Sequence, residues 1–248
     1  MKWTVLGCHS PYPGPGGATP GYLLETKGKK LLMDCGSGVL SQLAKITELH
    51  TLDAVLLSHL HHDHIADFFV LQYAVQTAIK TGKRQGPLTV LAPQYPEKWG
   101  RLLAYHQAID LHPIQEGDPL HLCGLAISFF QTDHKVPCFA MRFDNGAACI
   151  LYGADAGPQT KWDKMGTNPE LFICESTFLE KDMPLSPMGH LSARQAAIAG
   201  ESMGAKRLLL THLYPEYNPN HLYDEARPYF SGELTVARNG LVIDVGEA

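Results

Sequence analysis

The stretch Ser58-His59-Leu60-His61-His62-Asp63-His64 follows directly on the apolar run Ala54-Val55-Leu56-Leu57. A run of that kind, ending in polar residues, reads as a buried strand that passes into a loop. Imidazoles and a carboxylate form the ligand set that suits zinc, manganese or iron rather than a thiolate site. With His59, His61, Asp63 and His64 so close together, one turn can serve two neighbouring metal ions. A cluster of solvated histidines is the competing reading, and it would win for a lone His-x-His. The full His-x-His-x-Asp-His at a strand end favours a metal site.

Around this stretch the composition is that of an ordinary soluble domain: 248 residues, 45% hydrophobic and 18% charged. No Pro/Ser-rich linker or charge block divides the chain, so a single domain over 1–248 is expected. A formal net charge of −5 gives no electrostatic footprint for a long nucleic acid. The six cysteines form no Cys-x-x-Cys pair, and the N-terminal apolar run is too short for a signal peptide. Reduced thiols and a cytoplasmic location are expected, with no membrane as partner.

Upstream of the motif, Lys2–Cys8, Gly21–Thr26 and Lys30–Asp34 read as strands and Ser37–Glu48 as a helix. The Gly/Pro-rich loop at 9–17 is a candidate pocket rim or a plain connection. Downstream, Asp67–Thr81 and Tyr95–Tyr105 read as helices, with Leu88–Leu91 and parts of 108–131 as strands. The basic turn from Lys80 to Arg84 is a candidate phosphate contact or merely solvated. Asn145-Gly146 suits a type I′ hairpin turn between Cys138–Phe143 and Ala147–Tyr152. Ser192-Ala193-Arg194-Gln195 is a capping box that opens a helix through Met203. Leu171–Cys174, Arg207–Thr211, Glu233–Ala237 and Leu241–Val245 complete the strands.

The histidine motif resembles the signature of the metallo-β-lactamase superfamily. Asp34 after a strand, His134 in Thr132-Asp133-His134, Asp155 in Gly153-Ala154-Asp155 and His212 in Leu210-Thr211-His212 match its other blocks. Glu175 in Glu175-Ser176-Thr177-Phe178 and His190 in Gly189-His190-Leu191-Ser192 resemble the RNase Z branch of zinc phosphodiesterases. The chain differs from that branch in having Cys174 where a histidine is usual, and His62 where a glycine is usual. Only about twenty residues separate His134 from Asp155, so the tRNA-binding arm of RNase Z has no room. The resemblance implies an α/β (α+β) fold, the four-layer αββα sandwich of two mixed β-sheets with helices outside.

It also implies the chemistry. His59, His61 and His134 would hold one divalent ion, Asp63, His64 and His212 a second, with Asp155 bridging. Zinc is expected, with manganese or iron as alternatives. Asp63 would orient water and take its proton, and Asp34 would support the ligand loop. His190, polarised by Glu175, would protonate the leaving oxygen of a phosphodiester. Small cyclic nucleotides or short RNA 3′ ends are the expected substrates, with Tyr214 and Tyr217 as candidate walls for a base. The alternatives are a thioester or lactone hydrolase, a tRNA 3′-processing endonuclease proper, a flavin-coupled di-iron reductase, or a non-catalytic metal scaffold. A homodimer is left open.

Overall fold

The apolar runs become the strands of two mixed seven-stranded sheets in the computed structural model, which describes residues 1–117, 119–185 and 189–246. They belong to two compact units, Met1–Gln115 with Arg238–Ile243, and Glu116–Ala237 with Asp244 onward. In the first, β1 (Lys2–Gly7), β2 (Gly21–Thr26) and β3 (Lys29–Met33) form an antiparallel meander. A short α1 (Val39–Leu43) leads to β4 (Ala54–Leu56), followed by α2 (His62–Ile65) and α3 (Phe68–Lys80). Then come β5 (Leu88–Ala92), α4 (Glu97–Gly100) and β6 (Ile109–Pro113). From β3 to β6 all pairings are parallel.

One face of this sheet packs against helices. The register places Leu32 opposite both Leu23 and Val55, and Val55 opposite Val90. These join Phe68, Leu71 and Val75 of α3 in one apolar core. Phe68, Leu71 and Val75 recur at helical spacing, which is why α3 forms and which face it buries. Tyr22, Leu24, Leu31, Met33 and Leu56, on the alternate face, are fully buried as well. Burial on both faces explains why β3 and β4 read as continuous apolar runs rather than alternating ones.

The second unit repeats the plan. β7 (Leu120–Leu122), β8 (Leu125–Gln131), β9 (Phe139–Asp144) and β10 (Cys149–Tyr152) are antiparallel neighbours. β11 (Leu171–Glu175), β12 (Arg207–Thr211) and β13 (Glu233–Val236) then add in parallel, with α5 (Ala193–Ser202) and α6 (Pro219–Ala226) between them. Small residues Ala193, Ala196, Ala197 and Gly200 let α5 approach β11 and β12 closely. The capping box is present as expected, Ser192 with Gln195. Finally β14 (Val242–Asp244) returns to the first sheet beside β1.

Strand direction positions the site. β1 and β3 to β6 run one way, because two antiparallel pairings separate β1 from β3. By the same argument β8 runs with β10, β11 and β12. Carboxyl ends therefore share one edge in each sheet, and the polar motifs lie there, the usual ligand edge of parallel strands.

Three local expectations change. The helices expected over 37–48 and 95–105 shrink to α1 and α4. Past α1 the backbone tightens into i→i+3 turns, Lys45 N–H to Gln42 O and Ile46 N–H to Leu43 O. Gly100, the last residue of α4, offers little helix propensity. The hairpin loop spans four residues instead of two, since Asp144 pairs with Cys149. Only Gly146 takes positive φ, and the Asn145 carboxamide accepts the N–H groups of Ala147 and Ala148. That side-chain turn replaces the type I′ geometry. α6 has a signal that pattern reading passed over, an Asn218 cap followed by Pro219.

Phe68 and Val70 lie two residues apart on α3, one fully buried and the other 59% exposed. Phe68→Ala is expected to cost about 3–5 kcal/mol through cavity formation. Val70→Ala should stay within about 0.5 kcal/mol. Urea denaturation of the two variants, at constant m, measures both.

Candidate functional site

In the first unit the ligand motif hangs on a buried carboxylate. Asp34, just past β3, is fully buried with φ +54. Its Oδ1 accepts the Ser58 N–H at 2.7 Å, and its Oδ2 accepts the Ser58 hydroxyl at 2.9 Å. The same Oδ2 takes Nδ1–H of His64 at 2.8 Å. With its proton given to Asp34, the Ser58 hydroxyl accepts Nδ1–H of His59 at 3.0 Å. These bonds select the tautomer that leaves Nε2 of His59 and of His64 as lone-pair donors. His59 Nε2 lies 3.0 Å from His61 Nδ1, and His64 Nε2 lies 3.8 Å from Asp63 Oδ2.

Asp63 is held from two further sides. Ser10 donates its hydroxyl to Asp63 Oδ2 at 2.8 Å, and Thr19 donates to the Asp63 carbonyl at 2.7 Å. Loop 9–17 thus steadies a predicted ligand, beyond the rim role its composition suggested. Gly36 lies against the same turn: a Cβ there would stand 1.9 Å from the Asp63 carbonyl oxygen, a contact no side chain tolerates. His62 is exposed, its ring edge-on to Trp99 at 4.7 Å, and it takes no part in the cluster. The basic turn has a structural task. Arg84 donates to the carbonyls of His50, Leu52, Gly86 and Pro87.

In the second unit His134, Asp155, Glu175, His190 and His212 come together. Asp155 is buried between two imidazoles, Oδ1 at 3.2 Å from His212 Nε2 and Oδ2 at 3.7 Å from His134 Nε2. Each of those rings is fixed from behind. His134 Nδ1–H donates to the Gly189 carbonyl at 2.9 Å, and His212 Nδ1–H to the Thr177 hydroxyl at 2.7 Å. Thr177 passes its own proton to Glu175 Oε2 at 2.7 Å. Burial holds the His134 imidazole below its ordinary pKa, against the pull of Asp155. Thr132 donates to the Asp155 carbonyl at 2.6 Å, which ties the end of β8 to the loop after β10.

His190 lies close enough to Asp155 and His212 to join them around an ion, yet its short bond is to another carboxylate. Its Nδ1 lies 2.8 Å from Glu175 Oε1 and 4.0 Å from Asp155 Oδ2, so its partner is the glutamate. Its ring stacks on that of His212, centroids 5.2 Å apart. Glu175 is buried at the end of β11 and accepts from the N–H groups of Ala156, Thr177 and Leu191 as well. Burial opposes its ionisation, yet His190 and then His212 hold it below the ordinary glutamate pKa despite the nearby Asp155. A carboxylate at Nδ1 fixes the orientation of the His190 ring and leaves Nε2 facing away from it.

His59 and His64 in the first unit, and His134 and His212 in the second, therefore present imidazoles whose outer nitrogen is already satisfied. That chemistry fits a borderline divalent cation, with the groups behind the rings setting each tautomer. Sequence reading missed Ser10, Ser58, Thr132 and Thr177. Thr177 had a signal in its place two residues after Glu175; a loop serine such as Ser10 had none.

Comparison with known proteins agrees. Residues 29–213 match the family model described as the β-lactamase superfamily domain. The chain is 36% identical to Probable metallo-hydrolase YhfI of Bacillus subtilis (strain 168), over 98% of this chain and 99% of that one. The crystal structure of YhfI superposes with a TM-score of 0.93, covering 98% of each chain. A ribonuclease Z of Mycobacterium bovis (strain BCG / Pasteur 1173P2) is 27% identical, over 96% of both chains. The human short-form tRNase Z shares the fold at a TM-score of 0.76 and 20% identity, over 98% of this chain and 99% of that one. With its donor sets and its two mixed sheets, the chain belongs to the β-lactamase superfamily, as a metal-dependent hydrolase of the metallo-β-lactamase fold.

Proposed function

We propose that the protein is a phosphodiesterase of RNase Z type acting on small cyclic nucleotides or RNA 3′ ends. The observation that carries this reading is the pair His190–Glu175, bonded at 2.8 Å. A thioester hydrolase expels a thiolate, a leaving group that needs no such acid. A diester with an alkoxide leaving group does need one.

In this reading His59, His61 and His134 would hold one ion and Asp63, His64 and His212 the other, with Asp155 available to both. Bound there, divalent ions supply Lewis acidity toward the phosphoryl oxygens and lower the pKa of water toward neutrality. The protein's own groups do the rest. Asp63, steadied by Ser10, orients the attacking water and accepts its proton. As the new P–O bond forms and the old one breaks, His190 delivers its Nε2 proton to the departing oxygen. Glu175 stays ionised throughout and stabilises the imidazolium.

The hairpin between β9 and β10 fills the interval where RNase Z enzymes carry their arm. Small diesters are therefore preferred to folded tRNA. Net charge of −5 does not compensate, because non-specific affinity for nucleic acid comes largely from Lys and Arg at phosphates. Turnover of bis(p-nitrophenyl) phosphate, cyclic AMP and a precursor tRNA by zinc- and manganese-loaded protein, run in parallel, decides among these substrates. Efficient cleavage at the tRNA 3′ junction, with cyclic nucleotides inert, would reverse the preference.

Two further outcomes follow from the residue roles. Elemental analysis of protein purified without chelator should approach two metals per chain, and His212→Ala should lose mainly one of them. His190→Ala should keep its metals and lose roughly 10²–10⁴ in turnover of alkyl diesters. That loss should shrink for p-nitrophenolate leaving groups, which need little protonation. A His190→Ala protein stripped of metal would assign the residue to coordination instead.

A further inference from the structure

The segment after His212 is built for more than connection. His212 has φ +58, so the chain turns sharply off the end of β12. Residues 214–217 then close a turn in which the Tyr217 N–H donates to the Tyr214 carbonyl at 3.1 Å. The two tyrosine rings meet at 5.4 Å between centroids with 63° between planes, the edge-to-face arrangement aromatic pairs prefer. Both side chains are half-buried. Tyr217 is also fixed at its far end, where its hydroxyl donates to Asp182 at 2.9 Å and accepts from the Leu179 N–H. Burial and the Asp182 carboxylate push that phenol up to about 12, so it stays a donor at neutral pH.

Leu179 directly follows Phe178, whose half-buried ring meets that of His190 at 6.3 Å. The tie from Tyr217 to 179–182 therefore fastens the turn after His212 to the segment that carries Glu175. Both elements lie in the second unit, at its ligand edge. Tyr214 and Phe178 are aromatic side chains, and 213–217 contains no Lys or Arg. A surface of this kind has little to offer a chain of phosphates. It suits one flat ring beside the leaving-group acid, since every base presents a π face.

We propose that Tyr214 is the platform on which the substrate's nucleobase stacks, with Tyr217, clamped by Asp182, as the positioning residue that sets its plane. The proposal rests on the phosphodiester reading above and assigns the residues that would hold the base.

The test is equilibrium binding to the metal-loaded protein by isothermal titration, with adenosine 5′-monophosphate and ribose 5-phosphate as probes. The wild type should bind the nucleotide more tightly than the sugar phosphate. Tyr214→Ala should weaken the nucleotide by about 5- to 150-fold, the span of one stacked base, and leave ribose 5-phosphate unchanged. Tyr214→Phe should retain wild-type affinity, and Tyr217→Phe, which cuts the tie to Asp182, should weaken the nucleotide alone. Metal content should be the same in all four proteins. Equal losses for both probes, or unchanged nucleotide binding in Tyr214→Ala, would overturn the platform and leave the phosphodiester reading standing. Failure of the metal-loaded wild type to bind either phosphate would overturn that reading and the platform with it.

Discussion

A carboxylate with no solvent exposure is tolerated in a protein only if hydrogen bonds replace its lost hydration. Asp34 meets that condition through the ligand motif, with the Ser58 N–H, the Ser58 hydroxyl and the His64 imidazole. The dependence is mutual. Asp34 is stable where it is because the motif surrounds it, and the motif has one geometry because Asp34 must be satisfied. Through Ser58 the constraint reaches His59, and through His64 it reaches the short α2 that also carries Asp63. The donors are thus oriented by the interior of the unit before any ion arrives, which lowers the ordering cost of metal binding.

Glu175 plays the matching part in the second unit. It is buried at a strand end and surrounded by donors from three loops: Ala156 after β10, Thr177 after β11 and Leu191 before α5. One of its contacts, Thr177, continues to His212, and another, His190, is the proposed acid. A neutral substitute such as glutamine would leave several of these groups facing the wrong atom. The two carboxylates differ in what they face: Asp34 orders groups proposed to coordinate, while Glu175 also faces the proposed acid. That division separates a structural anion from one that tunes chemistry, with the same burial in both cases.

Much of this was legible because the chemistry is local. His59 to His64 sit within one turn, and their residue types and the strand before them suffice to identify a metal site. Glu175 and His190 are fifteen positions apart and were recognisable only through resemblance, although the structure bonds them directly. Ser10 and Thr132 were invisible for a physical reason. A hydroxyl that donates one hydrogen bond to a distant carboxylate or carbonyl leaves no periodicity and no spacing rule. The short α1 and α4 were over-extended because apolar spacing persists in the sequence where tertiary contacts have already replaced the helix, as with Gln72 reaching the carbonyls of Leu102 and Leu103. Strands fared better, since burial on both faces leaves an unbroken apolar run that turn residues bound clearly.

The backbone carries the same division between local and distant causes. Non-glycine residues rarely adopt positive φ, since the left-handed region crowds Cβ against the carbonyl. Yet Asp34 (+54), Ala154 (+52) and His212 (+58) all adopt it. They stand just past β3, β10 and β12, at the edge where the donors lie. A strand that simply continued would carry its next side chain onward along the sheet. A left-handed residue breaks the direction within one position and aims the side chain across the edge. Each such residue costs of order 1–3 kcal/mol, so it persists only where the surroundings over-determine it. Here the surroundings are the hydrogen bonds of Asp34 itself, the Thr132 bond to the carbonyl of Asp155 next to Ala154, and the Thr177 bond to His212. Hydroxyl groups that pattern reading passes over are therefore what holds the strained strand ends in place, and the strained strand ends are what point the donors.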